Sequence, residues 1–597
     1  MATIPQLFLE RVTAEPDTIF AWAPTPPADD QFYFEEDLDL IQDDHEGWSC
    51  ARYGQVHSHV AGLARRLHAF GVGRGTPVAI LAQTSDRWAL VDMAIQCLGG
   101  ITVGIYPTLT PNQVRYQIEH SEAILLLVEN EEQALRCHPF MDELLDLQHI
   151  LSLHPARSIP QLTPALPDMG WFEEQATAVR LEDTSTYIYT SGTTGAPKAV
   201  ILNHHNFTSI IAASCERLPL EHGDRTIIFL PLAHVLQRFT QYRGLTDHAV
   251  GWFAPSIDAL PQTIQIAQPH VLATVPRMLE KIRNTIRSQA EAKSPRALQI
   301  LEWAIQVGRT VNDMQWRNHR VGWRLQAQHA IAERLVFSKI REGLGGHLRL
   351  LICGGAALDP ELAMWFEATG IVVREGWGLS ETTAPAAANG IEKFRFGTVG
   401  TALDGTEIVL AEDGEIMVRG PGIFQGYLKD DAATSAAFTD EGFFKTGDLG
   451  IIVDGFVQIV GRKKEIIVTA GGKNIAPVPI EQKLEGGLIE QAVVVGDDRP
   501  YLVALLAPNQ ERMAARAQKE SWPGTMSDWL KRPEVVAEID DQVSAANQEL
   551  ARFESLKKWA LIEQGLTEDN GLLTPTMKKK RTEIQQRFFA QIEDLYT

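Results

Sequence analysis

Between residues 49 and 145 the chain alternates two rhythms. Apolar residues recur at helical spacing over 52–70 and again from Arg87. Short β-branched runs fall between and after them: TPVAIL at 76–81, ITVGIYP at 101–107 and ILLLV at 124–128. Runs of this kind read as buried strands, and their alternation with helices predicts a mostly parallel, helix-covered sheet. The rhythm returns in TIIFLP (226–231), HVLATVP (270–276), LRLLICGG (348–355) and IVVREGWG (371–378), each ending in Gly or Pro. Ligands of such sheets bind where strands end and loops begin.

Residues 277–345 break the pattern. They are charged and rich in Gln and Arg, with apolar residues at helical spacing around Leu298, Leu301, Ile305 and Val311, which predicts two or three helices. Trp303, Trp316 and Trp323 are expected to pack as core aromatics; the other reading is a wall for an apolar ligand or a membrane-facing patch. From Thr406 the pattern is β, and TEIVLAEDGEIMVRG carries a central Asp-Gly turn between alternating residues. GFVQIVGRKKEIIVTAGGKNIAP (455–477) repeats that pattern, and a compact stretch of helix, strand and polar helices follows Pro477. The charged run 462–465 marks the expected boundary, giving an N-terminal domain over 1–461, a hinge over 462–465 and a C-terminal domain over 466–597. The fold class is α/β.

Composition narrows the function. With 597 residues, 45% of them hydrophobic and 22% charged, the chain can bury a full core and is not disordered. Its 54 Lys and Arg against 76 Asp and Glu give a net charge of −22, which excludes broad nucleic-acid binding. Five scattered cysteines (Cys50, Cys97, Cys137, Cys215, Cys353) without a CxxC pair point to a reduced, cytoplasmic protein lacking structural zinc. The N-terminal segment reaches acidic residues too early for a secretory signal. Asp92, Gln96 and a Gly pair interrupt 90–107, the most apolar stretch, so membrane contact is expected to be peripheral, at the inner face.

The densest chemistry lies in YTSGTTGAPK at 189–198, where Thr190, Ser191, Thr193 and Thr194 alternate with Gly192 and Gly195 ahead of Lys198. Glycines let backbone N–H groups approach an anion, hydroxyls donate further bonds and the lysine adds charge, so this is a phosphate-cradling loop. It does not fit the Walker A pattern.

The loop resembles the signature of the adenylate-forming superfamily, which includes acyl-CoA synthetases, and further motifs follow in that family's order over about residues 50–581. The resemblance implies a large N-terminal domain of stacked, helix-covered sheets plus a β-subdomain, with a small mobile α+β C-terminal domain. It implies ATP, Mg2+ and CoA as the small molecules. Leu230-Pro231-Leu232-Ala233-His234 matches a segment whose His234 would gate the acyl pocket. Gly354, Gly355 and Ala356 would lie against adenine, Trp377 after Gly376 would stack on it, Gly378 and Ser380 would approach the α-phosphate, and Glu381 would hold Mg2+. Trp377 and Ser380 stand where the family usually has Tyr and Thr.

Asp448 would accept the ribose hydroxyls beside Arg462, Lys464 would be the hinge, and Gly471-Gly472 would pass the pantetheine arm. In LTPTMKKKR (573–581), Lys578 is the expected catalytic lysine, with Lys579 and Lys580 the alternatives. Lys464, the overall length and the 277–345 insert resemble long-chain fatty acyl-CoA synthetases, and a long apolar tunnel is expected between His234 and Pro276. The competing expectations are a fatty acyl-AMP ligase loading an acyl carrier protein, a ligase of non-fatty acids, a kinase or ATPase, and a non-catalytic adaptor.

Overall fold

A computed structural model describes residues 1–26, 30, 32, 47–190, 196–568, 570–574 and 578–597. The chain divides into two compact units. The first comprises Met1–Val409, Met417–Thr446 and Ile452–Gln458; the second comprises Leu410–Ile416, Gly447–Ile451 and Ile459–Thr597.

Among the described residues, three sheets lie wholly in the first unit. The largest has seven strands in the order Gly426–Tyr427, Lys198–Asn203, Thr184–Thr190, Ile101–Ile105, Pro77–Leu81, Leu125–Val128 and His149–Ser152. Its five last strands pair in parallel, as their near-continuous apolar character requires. A five-stranded sheet runs Val271–Thr274, Leu350–Cys353, Val372–Leu379, Ala384–Ala388 and Thr401–Ala402. A four-stranded sheet pairs Arg225–Ile228 and Val250–Phe253 with Ile19–Pro24 and Trp48–Arg52. In the second unit, three strands (Ile489–Val495, Leu502–Pro508, Leu556–Leu561) pack against helices. All five cysteines are free thiols, four of them buried.

The 277–345 segment forms helices Pro276–Lys293, Pro295–Trp316 and Trp323–Ala332, the last running on through a π-turn into Ser338–Gly343. Trp303 packs against the core as expected. Trp316 is half-covered by Phe394 and Phe396. Trp323 departs from the core reading: it is 74% exposed, because Ala332, Val336, Phe337 and Ile340 fill the buried side of its helix.

One buried polar network ties these elements together. Asp92, on helix Asp86–Cys97, accepts from Thr102 Oγ1 at 2.6 Å and from the Tyr242 hydroxyl at 2.7 Å, with Arg238 Nη1 at 3.4 Å. Arg238 is fully buried, stacks 4.3 Å over Trp88 and donates through Nε to the Leu232 carbonyl at 3.0 Å. Its Nη1 also reaches Thr186 Oγ1 at 3.4 Å, on strand Thr184–Thr190. A Cβ on Gly104 would come within 2.8 Å of the Ala233 Cα and 3.1 Å of Arg238 Nη2, so only glycine lets the LPLAH turn lie on that strand.

Breaking a buried ion pair strands the remaining charge, which costs about 3–5 kcal/mol. Asp92→Ala is expected to lose that much in urea unfolding and Tyr242→Phe about 1 kcal/mol. An Asp92→Ala loss no larger than that of Tyr242→Phe would contradict this reading of the network.

Candidate functional site

Thr184–Thr190 and Lys198–Asn203 are antiparallel, with Thr190 opposite Lys198. The two strands are therefore the arms of a hairpin, and Lys198 stands where the returning strand begins. Ser191, Gly192, Thr193, Thr194 and Gly195 lie outside the described residues. Lys198 Nζ sits 4.8 Å over the Tyr427 ring and 3.8 Å from the Asp430 carboxylate. The Tyr427 hydroxyl donates to Glu381 Oε1 at 2.9 Å. Burial, and then the Glu381 charge, push the Tyr427 phenol above its usual range, so it stays a donor at neutral pH. Strand Gly426–Tyr427 pairs with Lys198–Asn203, which is how a residue so distant in sequence arrives here.

Thus Lys198 and Glu381 share one polar cluster, and Tyr427 and Asp430 are members that the sequence reading missed. No local motif marks Tyr427; only the pairing of its two-residue strand does. Asp430 also caps helix Asp431–Ala437 by accepting from the Ala433 N–H at 2.9 Å.

The residues expected on the adenine side flank this cluster in the chain. Strands Leu350–Cys353 and Val372–Leu379 are parallel neighbours, and beyond the first, Gly355 (φ +84°) and Ala356 are exposed. Gly354 is buried, its N–H donating to the Thr274 carbonyl at 3.2 Å. Trp377 is 9% exposed, opposite Ala387. A Cβ on Gly378 would fall 1.7 Å from the Ala384 carbonyl oxygen, so glycine is obligatory at this bulge, which delivers Ser380 and Glu381. Glu375, on the same strand, accepts from the Leu358 N–H at 3.1 Å, and burial pushes its carboxyl up to about 8.

His234 caps helix Val235–Asp247, its Nδ1 accepting from the Leu236 N–H at 3.2 Å, so in the neutral ring Nε2 carries the proton. Along this helix runs a cleft of about 730 Å3, counting space open to solvent; Ile227, Ile228, Leu245, Val271, Ala273 and Ile352 are among its lining residues, with Gln237, Gln241, Arg243 and Asp247 contributed by the helix itself. Gly244 lines it too, and a Cβ there would meet no atom within 4 Å.

In the second unit, Arg462 Nε donates to buried Asp448 at 2.8 Å. Lys463 bridges Asp413 and Glu415 at 2.5 and 2.9 Å, whereas Lys464 is exposed. Gly471 and Gly472 (φ +71°) form an exposed turn closed by Gly472 N–H to the Thr469 carbonyl, 2.8 Å. The three C-terminal lysines separate clearly. Lys579 Nζ is held by Glu481, Glu485 and the Ala492 carbonyl at 3.0, 2.9 and 2.7 Å. Arg581 grips the same Glu481 bidentately at 2.8 and 2.9 Å. Burial alone would raise Glu481, but Lys579 and Arg581 outweigh it and hold the carboxyl at about 2. Lys578 is exposed beside this anchored pair, its N–H donating to Thr574 Oγ1 at 3.0 Å.

A third grouping, Glu15, His222 and His248, brings potential metal ligands together. Its carboxylate already pairs with buried Arg11 at 2.7 Å, and Arg11 also contacts His248, so a cation occupies that position.

The AMP-binding enzyme family matches residues 33–428, and the AMP-binding enzyme C-terminal domain matches 464–597. The chain belongs to this family of AMP-binding enzymes. Among curated relatives it is 37% identical over 563 residues to the long-chain-fatty-acid–CoA ligase FadD15 of Mycobacterium bovis, covering 92% of each chain. It is 29% identical to the human long-chain-fatty-acid–CoA ligase ACSBG2, over 92% of this chain and 88% of that one. Among solved structures, the adenylation domain of a carboxylate reductase from Mycobacterium chelonae has the same fold, with a TM-score of 0.76 at 18% identity over 100% of this chain and 91% of that one.

Glu375 generates a pH prediction. Its folded-state pKa of about 8 lies above the ordinary 4.5, so the folded protein keeps a proton that the unfolded chain releases across that window, and stability from this group falls as pH rises through it. Glu375→Gln is expected to gain stability over the parent progressively from pH 5 to 8 in urea unfolding. A difference that stays flat with pH would contradict the assignment.

Proposed function

We propose that this chain is an AMP-forming ligase that activates a long-chain fatty acid with ATP and passes the acyl group to CoA. The observation that carries the substrate class is the apolar cleft along the helix capped by His234, on the same unit as the Lys198–Tyr427–Glu381 cluster. His234, which caps the same helix but is not among the residues lining the cleft, is the proposed acyl gate.

A free carboxylate resists thiol attack because its leaving group would be an oxide. In the first half-reaction a carboxylate oxygen of the acid attacks the α-phosphorus of ATP, and the bond to pyrophosphate breaks. Charge builds on phosphate oxygens, so catalysis is positioning and electrostatic stabilisation, with no side-chain nucleophile. Lys198 and the hydroxyls and backbone of 190–195, Thr194 included, supply that stabilisation, joined by Lys578. Gly354, Gly355, Ala356, Trp377, Gly378 and Ser380 hold the adenine and α-phosphate, and Asp448, oriented by Arg462, accepts the ribose hydroxyls. Glu381 offers Mg2+ a hard oxygen: Oε1 holds the Tyr427 hydroxyl, and Oε2 has no recorded partner among the described residues. When bound, the ion would offset phosphate charge.

In the second half-reaction the CoA sulfur attacks the acyl carbon and AMP leaves. Lys464 is the hinge over 462–465 about which the 466–597 domain turns between the two steps, and the Gly471-Gly472 turn admits the pantetheine arm, with water excluded while the adenylate waits.

Purified protein given Mg-ATP, CoA and acids from acetate to long-chain is expected to yield AMP and a long-chain acyl-CoA. ADP would overturn the reading, and AMP without thioester would move the acceptor to a carrier protein. Lys578→Ala should slow adenylate formation about 10²–10³-fold while sparing thioester formation from supplied acyl-adenylate; equal loss of both would sink that lysine's role. Gly244→Leu fills cleft space, so kcat/KM for the longest acids should fall about tenfold or more, with each excluded methylene worth about 0.8 kcal/mol. An unchanged chain-length profile would show that the acyl chain lies elsewhere.

A further inference from the structure

The helical segment 277–345 holds 13 Lys and Arg against 6 Asp and Glu, while the rest of the chain holds 41 against 70. Its helix Trp323–Ala332, with its continuation, buries one face in the core through Ala332, Val336, Phe337 and Ile340. The opposite face of such a helix is ordinarily polar. Here Trp323, Ile331 and Leu335 are 74%, 52% and 46% exposed, aligned at four-residue spacing with exposed Ala327 between. Arg320, Arg324 and Arg334 are exposed beside them and have no ion-pair partner among the described residues. The Arg324 guanidinium lies 5.3 Å from the Trp323 ring.

We propose that this face docks on an anionic lipid surface. Tryptophan is suited to the headgroup boundary, Ile and Leu enter the acyl layer below it, and each arginine gains from the negative surface potential. The acidic remainder of the chain is repelled by the same potential, which orients the protein with this helix toward the lipid. An acidic protein partner would satisfy the arginines and leave the apolar row unaccounted for. The inference stands on charge and exposure, and complements the fatty-acid reading without resting on it.

The test is sedimentation of the full-length protein with phosphatidylcholine vesicles, with and without phosphatidylglycerol, at low and high salt. Binding is expected only with phosphatidylglycerol, weakening with salt. Replacing Arg320, Arg324 and Arg334 by Gln should lower partitioning about fivefold per residue. Trp323→Ser with Ile331→Ser and Leu335→Ser should lower it comparably, and both variants should leave turnover of a dissolved medium-chain acid unchanged. No binding to the anionic vesicles, equal binding to both compositions, or binding that neither variant weakens would overturn the proposal. Protein that binds anionic vesicles yet makes no acyl-CoA would overturn the ligase reading and leave the docking face intact.

Discussion

The buried Asp92–Arg238 pair is the constraint on which the first unit's site depends. Asp92 would be a costly charge in a helix surrounded by Leu90, Val91 and Ala94 were it not satisfied by Thr102, Tyr242 and Arg238. Arg238 in turn reaches the Leu232 carbonyl and Thr186. One guanidinium thereby sets the turn that presents His234 against the strand that ends at Thr190. Buried pairs of this kind add little net stability over apolar packing of equal volume. What this one supplies is register: it ties strand Thr184–Thr190 and helix Asp86–Cys97 to helix Val235–Asp247.

The second unit applies the same physics to a different end. Glu481 is wholly enclosed, and its two positive partners, Lys579 and Arg581, follow Lys578 closely in the chain. Three consecutive lysines thus divide their labour by environment. Lys579 is spent on structure, and Lys578 is exposed, its backbone N–H donating to Thr574. Arg581 also reaches Glu465 at 3.4 Å, tying this segment to the turn that contains Lys464.

Much of this was legible from the chain. The β-branched runs became strands within a few residues of their expected ends, because strands buried on both faces can hardly be written otherwise. The Asp-Gly turn of TEIVLAEDGEIMVRG sits where the alternation placed it, at Gly414, with positive φ. Glu381 was named only through the family resemblance, whereas the 189–198 motif stood out because its hydroxyls, glycines and lysine are concentrated in ten residues. The central network did not: Asp92 read only as an interruption of an apolar stretch, and Arg238 as one charge in a helix. Their partners lie in four different elements, and no local pattern records such a meeting. Strand Ile19–Pro24 was unreadable for a similar reason, since its parallel partner Val250–Phe253 lies more than two hundred residues away. Trp323 misled in the other direction, because aromatic residues in a helical pattern ordinarily face the core.

If the first unit activates the acid before any thiol is involved, the adenylate must form and reverse without CoA. The direct measurement is exchange of labelled pyrophosphate into ATP, driven by a long-chain fatty acid, with CoA omitted. The account predicts exchange that requires the acid and Mg2+ and does not require CoA. Exchange that appears only when CoA is added, or that proceeds equally without the acid, would contradict it.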